Sequence, residues 1–305
     1  MTERNEAEVT IEELIQGGDL RGALHRVEAM LASSDEGGVY VLVAVLKCQT
    51  GDFAGATATL EAMSARRPEW RVLAQELGYC VDADQLRSAR RMDPEVATKR
   101  AGIAPPPEFA MCQLAALVHH AQGEHEQAVR MLKDARDKAP LSKGKLVRID
   151  GRVIHFDDLW DSDELTGPLL EAIGPSGLID IPFLDLKSIE LKPAQTFHDM
   201  LWMVAQLETV SGRRLTVRIP AIYPDSADDE TPEVRIGAMT VWDRENGYNI
   251  AAGQRELYYD SEGTLVSIGL REIARIDFEH DVDVETESDE DCEPGGCGGN
   301  CGCSH

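Results

Sequence analysis

The sequence predicts two unlike folded parts, an all-α helical repeat domain and a small α+β domain with a curved sheet or partial barrel, followed by a disordered acidic tail. Three observations carry this prediction. First, a phrase returns: Gly18-Asp19-Leu20-Arg21-Gly22-Ala23, Gly51-Asp52-Phe53-Ala54-Gly55-Ala56 and Gly123-Glu124-His125-Glu126-Gln127-Ala128. The first two opening glycines lie 33 residues apart and the last two 72, or twice 36. Second, the hydrophobic period moves from 3.6 towards 2 beyond residue 147. Third, residues 277–293 hold ten Asp or Glu, and residues 277–305 hold no Lys or Arg.

In the returning phrase, Gly supplies a left-handed turn and the Ala five positions later lets two helices approach closely. That is the requirement of a tetratricopeptide-like (TPR-like) repeat, whose stacked units form a concave, peptide-binding surface. The repeat domain is expected at 7–139. Val9, Ile11, Leu14 and Ile15 mark a short opening helix. Ala23, Leu24, Val27, Met30 and Leu31 share one face of the next, and Val41, Leu42, Val45 and Leu46 form another before Gly51. Ala56, Leu60 and Met63 continue until Pro68, and Val72, Leu73, Leu77 and Cys80 make a further helix. The stretch 84–104 is a poor repeat, with Leu86 and Met92 among Arg87, Arg90, Arg91, Lys99 and Arg100. Pro105-Pro106-Pro107 breaks the chain before a helix carrying Met111, Leu114, Ala115 and Val118, and 124–139 closes the domain at Pro140.

Residues 140–146 read as a linker, and 147–279 as the α+β domain. Asp150-Gly151 between Val147 and Ile154 is a strong hairpin signal. One helix is expected at about 161–173, capped by Asp161 or Ser162, with Leu165, Leu169 and Ile173 inward. Strands are expected at 178–183, 188–192, 203–209, 214–222, 234–241, 255–259 and 264–269. The tail, 280–305, can bury little apolar area.

Charge and composition narrow the function. With 30 basic against 55 acidic side chains, the net charge of −25 disfavours nucleic-acid and anionic-membrane partners. The acidic N-terminus lacks an apolar signal region and no run approaches a membrane span, so a cytoplasmic protein without membrane insertion is expected. Cys48, Cys80 and Cys112 sit singly in helical patterns, as small buried hydrophobes do.

Several phrases of the second part, in order, resemble one known family. These are Phe156-Asp157-Asp158-Leu159-Trp160-Asp161-Ser162-Asp163-Glu164-Leu165, Ile181-Pro182-Phe183 with Ile189 and Leu191, His198-Asp199-Met200-Leu201-Trp202, and Arg218-Ile219-Pro220-Ala221-Ile222-Tyr223-Pro224. Arg235-Ile236-Gly237, Thr240-Val241-Trp242 and Gly253-Gln254-Arg255 follow. Together they resemble the ImpE/TagJ family of type VI secretion accessory proteins. The resemblance implies a non-enzymatic adaptor that binds an N-terminal helix of the small sheath subunit (TssB-like) and is linked to the ClpV-like ring ATPase that recycles the sheath. It implies no catalytic residues, and the acidic tail lies outside the family pattern.

Each candidate residue carries two readings. Trp160, Trp202, Tyr223 and Trp242 either contact a partner or pack the small domain, and Pro220 with Pro224 end a strand. Arg87, Arg90 and Arg91, with Lys99 and Arg100, either dock an acidic partner or the chain's own residues 281–293, or form a solvated helix face. His119, His120 and His125 read as a solvated turn, because adjacent histidines on a helix point about 100° apart. His198 beside Asp199 reads as a helix start. No cofactor is expected, apart from a possible Zn at the tail. There Cys292, Cys297, Cys301, Cys303 and His305 could wrap a soft metal, giving a metal-handling or scaffold alternative, stand as incidental thiols, or carry redox or transient disulfide chemistry.

Overall fold

The computed structural model describes residues 9–280 apart from 32, 100 and 101. A helical half comes first: α1 (Ile11–Gln16), α2 (Leu20–Leu31), α3 (Gly37–Gln49), α4 (Phe53–Arg66), α5 (Arg71–Met92), α6 (Pro94–Ala97), α7 (Glu108–Ala121) and α8 (His125–Lys138). The three repeated glycines sit in its turns with φ of +73°, +82° and +75°, conformations that a side chain would strain. Ala23, Ala56 and Ala128, five residues on, are each fully buried, so the close approach rests on the absence of a larger side chain. The stretch 84–104 is largely the end of a long α5, followed by the single turn of α6 on a Pro94 start.

The sheet half contains β1 (Gly144–Arg148), β2 (Val153–Phe156), β3 (Asp158–Asp161), β4 (Leu169–Gly174), β5 (Gly177–Pro182), β6 (Leu186–Leu191), α9 (Phe197–Leu201), β7 (Trp202–Thr209) and β8 (Arg214–Pro220). It continues with α10 (Pro232–Arg235), β9 (Thr240–Asp243), β10 (Ile250–Gly253), β11 (Glu256–Ser261), β12 (Thr264–Gly269) and β13 (Ile273–Phe278). Eight strands form an antiparallel sheet in the order β2-β1-β13-β6-β7-β8-β4-β5, and β12-β11-β3 and β10-β9 form two smaller sheets.

Period-two alternation divides the large sheet between two neighbours. Ala172, Ile179, Ile181 and Met203 share a core with Leu159, Leu257, Tyr259 and Ile268 of the three-stranded sheet. Their chain neighbours Ile173, Leu178 and Trp202 share another with Val41, Leu60, Leu77, Cys80 and Val81 of α3, α4 and α5. The sheet end β7-β8-β4-β5 is thus covered by helices on one side and by strands on the other.

Two expected elements are corrected. Residues 161–173 are a polar turn followed by β4, with no helix. Asp161 and Asp163 each accept from the backbone N–H two residues on, which competes with helical pairing, and Gly167 (φ +55°) with Pro168 ends any helical run. The strand expected at 234–241 is α10 followed by the start of β9, because Thr231-Pro232 opens a helical turn. The Asp150-Gly151 hairpin forms as expected, with Gly151 at φ +84°. No helix among the described residues is long and apolar enough to cross a membrane.

Candidate functional site

Two features distinguish the junction of the halves, a buried charged seam and an open apolar groove. The seam begins on α5. Arg87 donates from Nε to Glu171 Oε2 at 2.9 Å and from Nη1 to Asp84 Oδ1 at 2.9 Å, and both its Nη atoms reach the Ile222 carbonyl. Trp202 Nε1 donates to the other Asp84 oxygen at 2.9 Å. From the sheet side, the fully buried Arg255 donates to Glu171 Oε2 at 2.6 Å and places Nε 2.8 Å from Asp161 Oδ2. Tyr223 donates its hydroxyl to Asp161 Oδ1 at 2.6 Å and lies 3.1 Å from Ser162 Oγ, which accepts from Trp242 Nε1 at 3.2 Å. Arg90 pairs with Asp180 and Arg91 with Asp163 on the same junction.

The electrostatics follow from this crowding. Burial pushes Asp161 up to about 6 against the pull of Arg255. Burial pushes Glu171 the same way, but Arg87 and Arg255 together hold it down to about 2. Burial opposes the charge of Arg255, yet Asp161 and Glu171 keep it firmly protonated. Both oxygens of Asp161 are engaged, by Arg255 on one side and by Tyr223 and the Asp163 N–H on the other. Such an arrangement holds two layers together.

The structure therefore turns the expected docking residues inward. Arg87 and Arg90 are 3% and 4% exposed, and their charge is engaged by the chain's own carboxylates rather than displayed as a basic face. A docking role at Arg87, Arg90 and Arg91 would require the seam to open. Trp202 and Tyr223 are buried packing and hydrogen-bonding residues, and Trp242 is half-buried and stacked on Tyr258. His120 and His125 both meet the Tyr248 hydroxyl, at 2.7 and 3.1 Å, while His119 meets Glu124. Asp199 completes the Thr196 capping box of α9, so His198-Asp199 is a helix start. Among the described residues, no group of three or more His, Cys, Asp or Glu could hold a metal ion. Cys292, Cys297, Cys301, Cys303 and His305 lie outside the described residues.

The groove measures about 490 Å³; the repeat pattern predicts a concave peptide-binding surface but does not single out the residues that line this one. Val41, Leu42, Val45, Met63, Trp70 and Leu73 line it from the repeat side, and Phe197 with His198 from the sheet side. The available signal was the unbroken apolar run Val39–Leu46. Eight apolar residues in a row cannot share one helical face, so α3 has more apolar surface than one neighbour covers. Val43 and Leu46 pack towards α2, and Val41, Ala44, Val45 and Cys48 towards α4 and α5. A second cleft, of about 390 Å³, lies between α8 and the three-stranded sheet, bordered by Leu132, Arg136, Trp160, Tyr248, Tyr258 and Leu265.

Comparison with known proteins bears out the family likeness read from the sequence. Residues 154–276 match the model of the ImpE protein family. The chain is 26% identical over 276 residues to the type VI secretion system accessory component TagJ of Pseudomonas aeruginosa, covering 88% of this chain and 90% of that protein. Its fold is shared with the crystal structure of protein VPA1032 from Vibrio parahaemolyticus, at a TM-score of 0.76 and 18% identity, over 90% of this chain and 99% of that one.

Proposed function

We propose that this chain, which carries an ImpE domain and resembles TagJ along most of its length, is an accessory component of a type VI secretion system that acts by binding and makes no bond. The observation that carries the reading is the apolar groove between α3, α4, α5 and α9. Its occupant is an amphipathic helix, whose anchors at i, i+3 or i+4 and i+7 would fill the space between Val41, Leu42, Met63, Trp70, Leu73 and Phe197. In this reading the glycine-turned helix pairs form a TPR-like stack with the groove on its concave side. The net charge of −25 favours a ligand helix with basic flanks. The N-terminal helix of the small sheath subunit is the proposed ligand, and holding it would tune sheath disassembly by the ring ATPase. A cytoplasmic location goes with that partner.

The test is calorimetric titration of the purified full chain with a peptide of that sheath helix. Saturable binding at micromolar affinity or better supports the adaptor reading. No heat and no saturation at millimolar peptide would reject the sheath subunit as the partner.

A further inference from the structure

Among the described residues, a stretch of uncommitted positive charge lies on α8 and the strand that follows it. Residues 130–148 hold seven Lys or Arg against two Asp, in a chain of net charge −25. Arg130, Lys133, Arg136, Lys138, Lys143 and Lys145 are all exposed. Lys138 pairs with Glu108 and Arg136 with Asp158, but Arg130, Lys133, Lys143 and Lys145 have no ion pair among the described residues. A run of like charges at one place raises the local potential and favours an anionic occupant.

The chain's last described residues end beside this ledge. Lys145 stands opposite Asp277 and Gly144 opposite Phe278 in the β1–β13 ladder, and Glu279 N–H donates to the Lys143 carbonyl at 2.9 Å. The N–H of Ser142, next along, donates to Asp158 Oδ1 at 3.0 Å, and the other Asp158 oxygen lies 3.2 Å from Arg136. The following segment, 281–293, carries eight Asp or Glu and no basic residue. Its thirteen residues can span up to about 45 Å when extended. The fourteen residues of α8 span about 21 Å, so the reach is ample.

We propose that residues 281–293 of the same molecule dock on the ledge formed by Arg130, Lys133, Arg136, Lys143 and Lys145. Charge complementarity, length and the point of departure all select this occupant. The Arg87, Arg90 and Arg91 cluster, another basic stretch, is closed to it by its own carboxylates. This inference does not depend on what the apolar groove binds.

Zero-length carbodiimide coupling of the full chain, mapped by mass spectrometry on a mixture of isotopically light and heavy protein, tests it. The expected result is tail carboxylates joined within one molecule to Lys133, Lys143 and Lys145. The yield should fall at least about threefold between ~20 mM and ~500 mM salt, as screening shortens the range of attraction. Arg130→Glu, at an exposed position without an ion pair, should lower the yield at Lys133 by about half while leaving the fold intact. Tail links spread evenly over Lys47, Lys187 and Lys192, links only between light and heavy molecules, or no tail links would each overturn the proposal.

Discussion

The seam and the groove draw on the same helices and the same sheet, yet they solve opposite problems. In the seam, Arg87, Arg255, Asp161 and Glu171 are largely taken out of water and engaged by one another, by Asp84 and Tyr223 and by backbone carbonyls, while Trp202 holds Asp84. In the groove, Leu42, Trp70, Leu73 and Phe197 pack on the core from one side and retain partial solvent exposure on the other. The phrases that signal the family, around Asp161, Trp202, Tyr223, Trp242 and Arg255, meet in the seam. None of them except the Phe197-flanked His198 reaches the groove. The lesson is that the phrases resembling the family mark the joint that fixes two layers, whereas the groove proposed to bind a helix is lined by less distinctive apolar residues.

The comparison is broken most severely at Arg255. Arg255→Ala leaves Asp161 and Glu171 buried without their shared cation and should cost about 3–5 kcal/mol, read as a lower denaturant midpoint. A change below about 1 kcal/mol would mean that the seam is dispensable.

Acid should act on the same joint with a calculable sign. Glu171 is held at about 2 against an ordinary 4.5, so its contribution is fully present above about 4.5 and is lost as pH falls towards 2. That contribution is about 3 kcal/mol. Asp161, raised to about 6 from 3.8, works the other way: protonation on falling through that range favours the folded state. Glu171→Gln should flatten the acid limb of the stability curve relative to the parent, while Asp161→Asn should remove the gain below about pH 6. Parallel curves for all three proteins would contradict the assignment.

Groove substitutions should separate binding from folding. Leu42→Glu with Leu73→Glu should weaken a bound amphipathic helix at least about tenfold, or ~1.4 kcal/mol, while shifting thermal stability only slightly. Loss of stability on the scale of Arg255→Ala would show that the groove is part of the core instead. The smallest effect is expected at Gly51→Ala. A Cβ there meets nothing, so the cost is the positive φ alone, about 1 kcal/mol by thermal unfolding.

What could be read from the sequence follows range. The glycine turns with their buried alanines, the Asp150-Gly151 hairpin and the strands β5 to β8 are set by neighbours within a few residues, and they formed where expected. The polar turn at 161–168 was misread as a helix start because Asp161 and Ser162 serve equally as helix caps and as turn formers. The seam was illegible because its partners are remote: Arg87 and Glu171 are 84 residues apart, and Asp84 and Trp202 are 118 apart. A basic cluster on a helix looks the same in sequence whether water or a sheet faces it. The ledge on α8 was hidden for another reason, since its charges are spread over a helix, a linker and a strand.

The most direct test of the account places a photo-reactive residue at the apolar face of the sheath-helix peptide and maps where it couples to the full chain. Labels on Leu42, Met63, Trp70, Leu73 or Phe197 are the predicted result. Labels concentrated on Trp160, Tyr248 or Leu265, in the cleft beside α8, would contradict it.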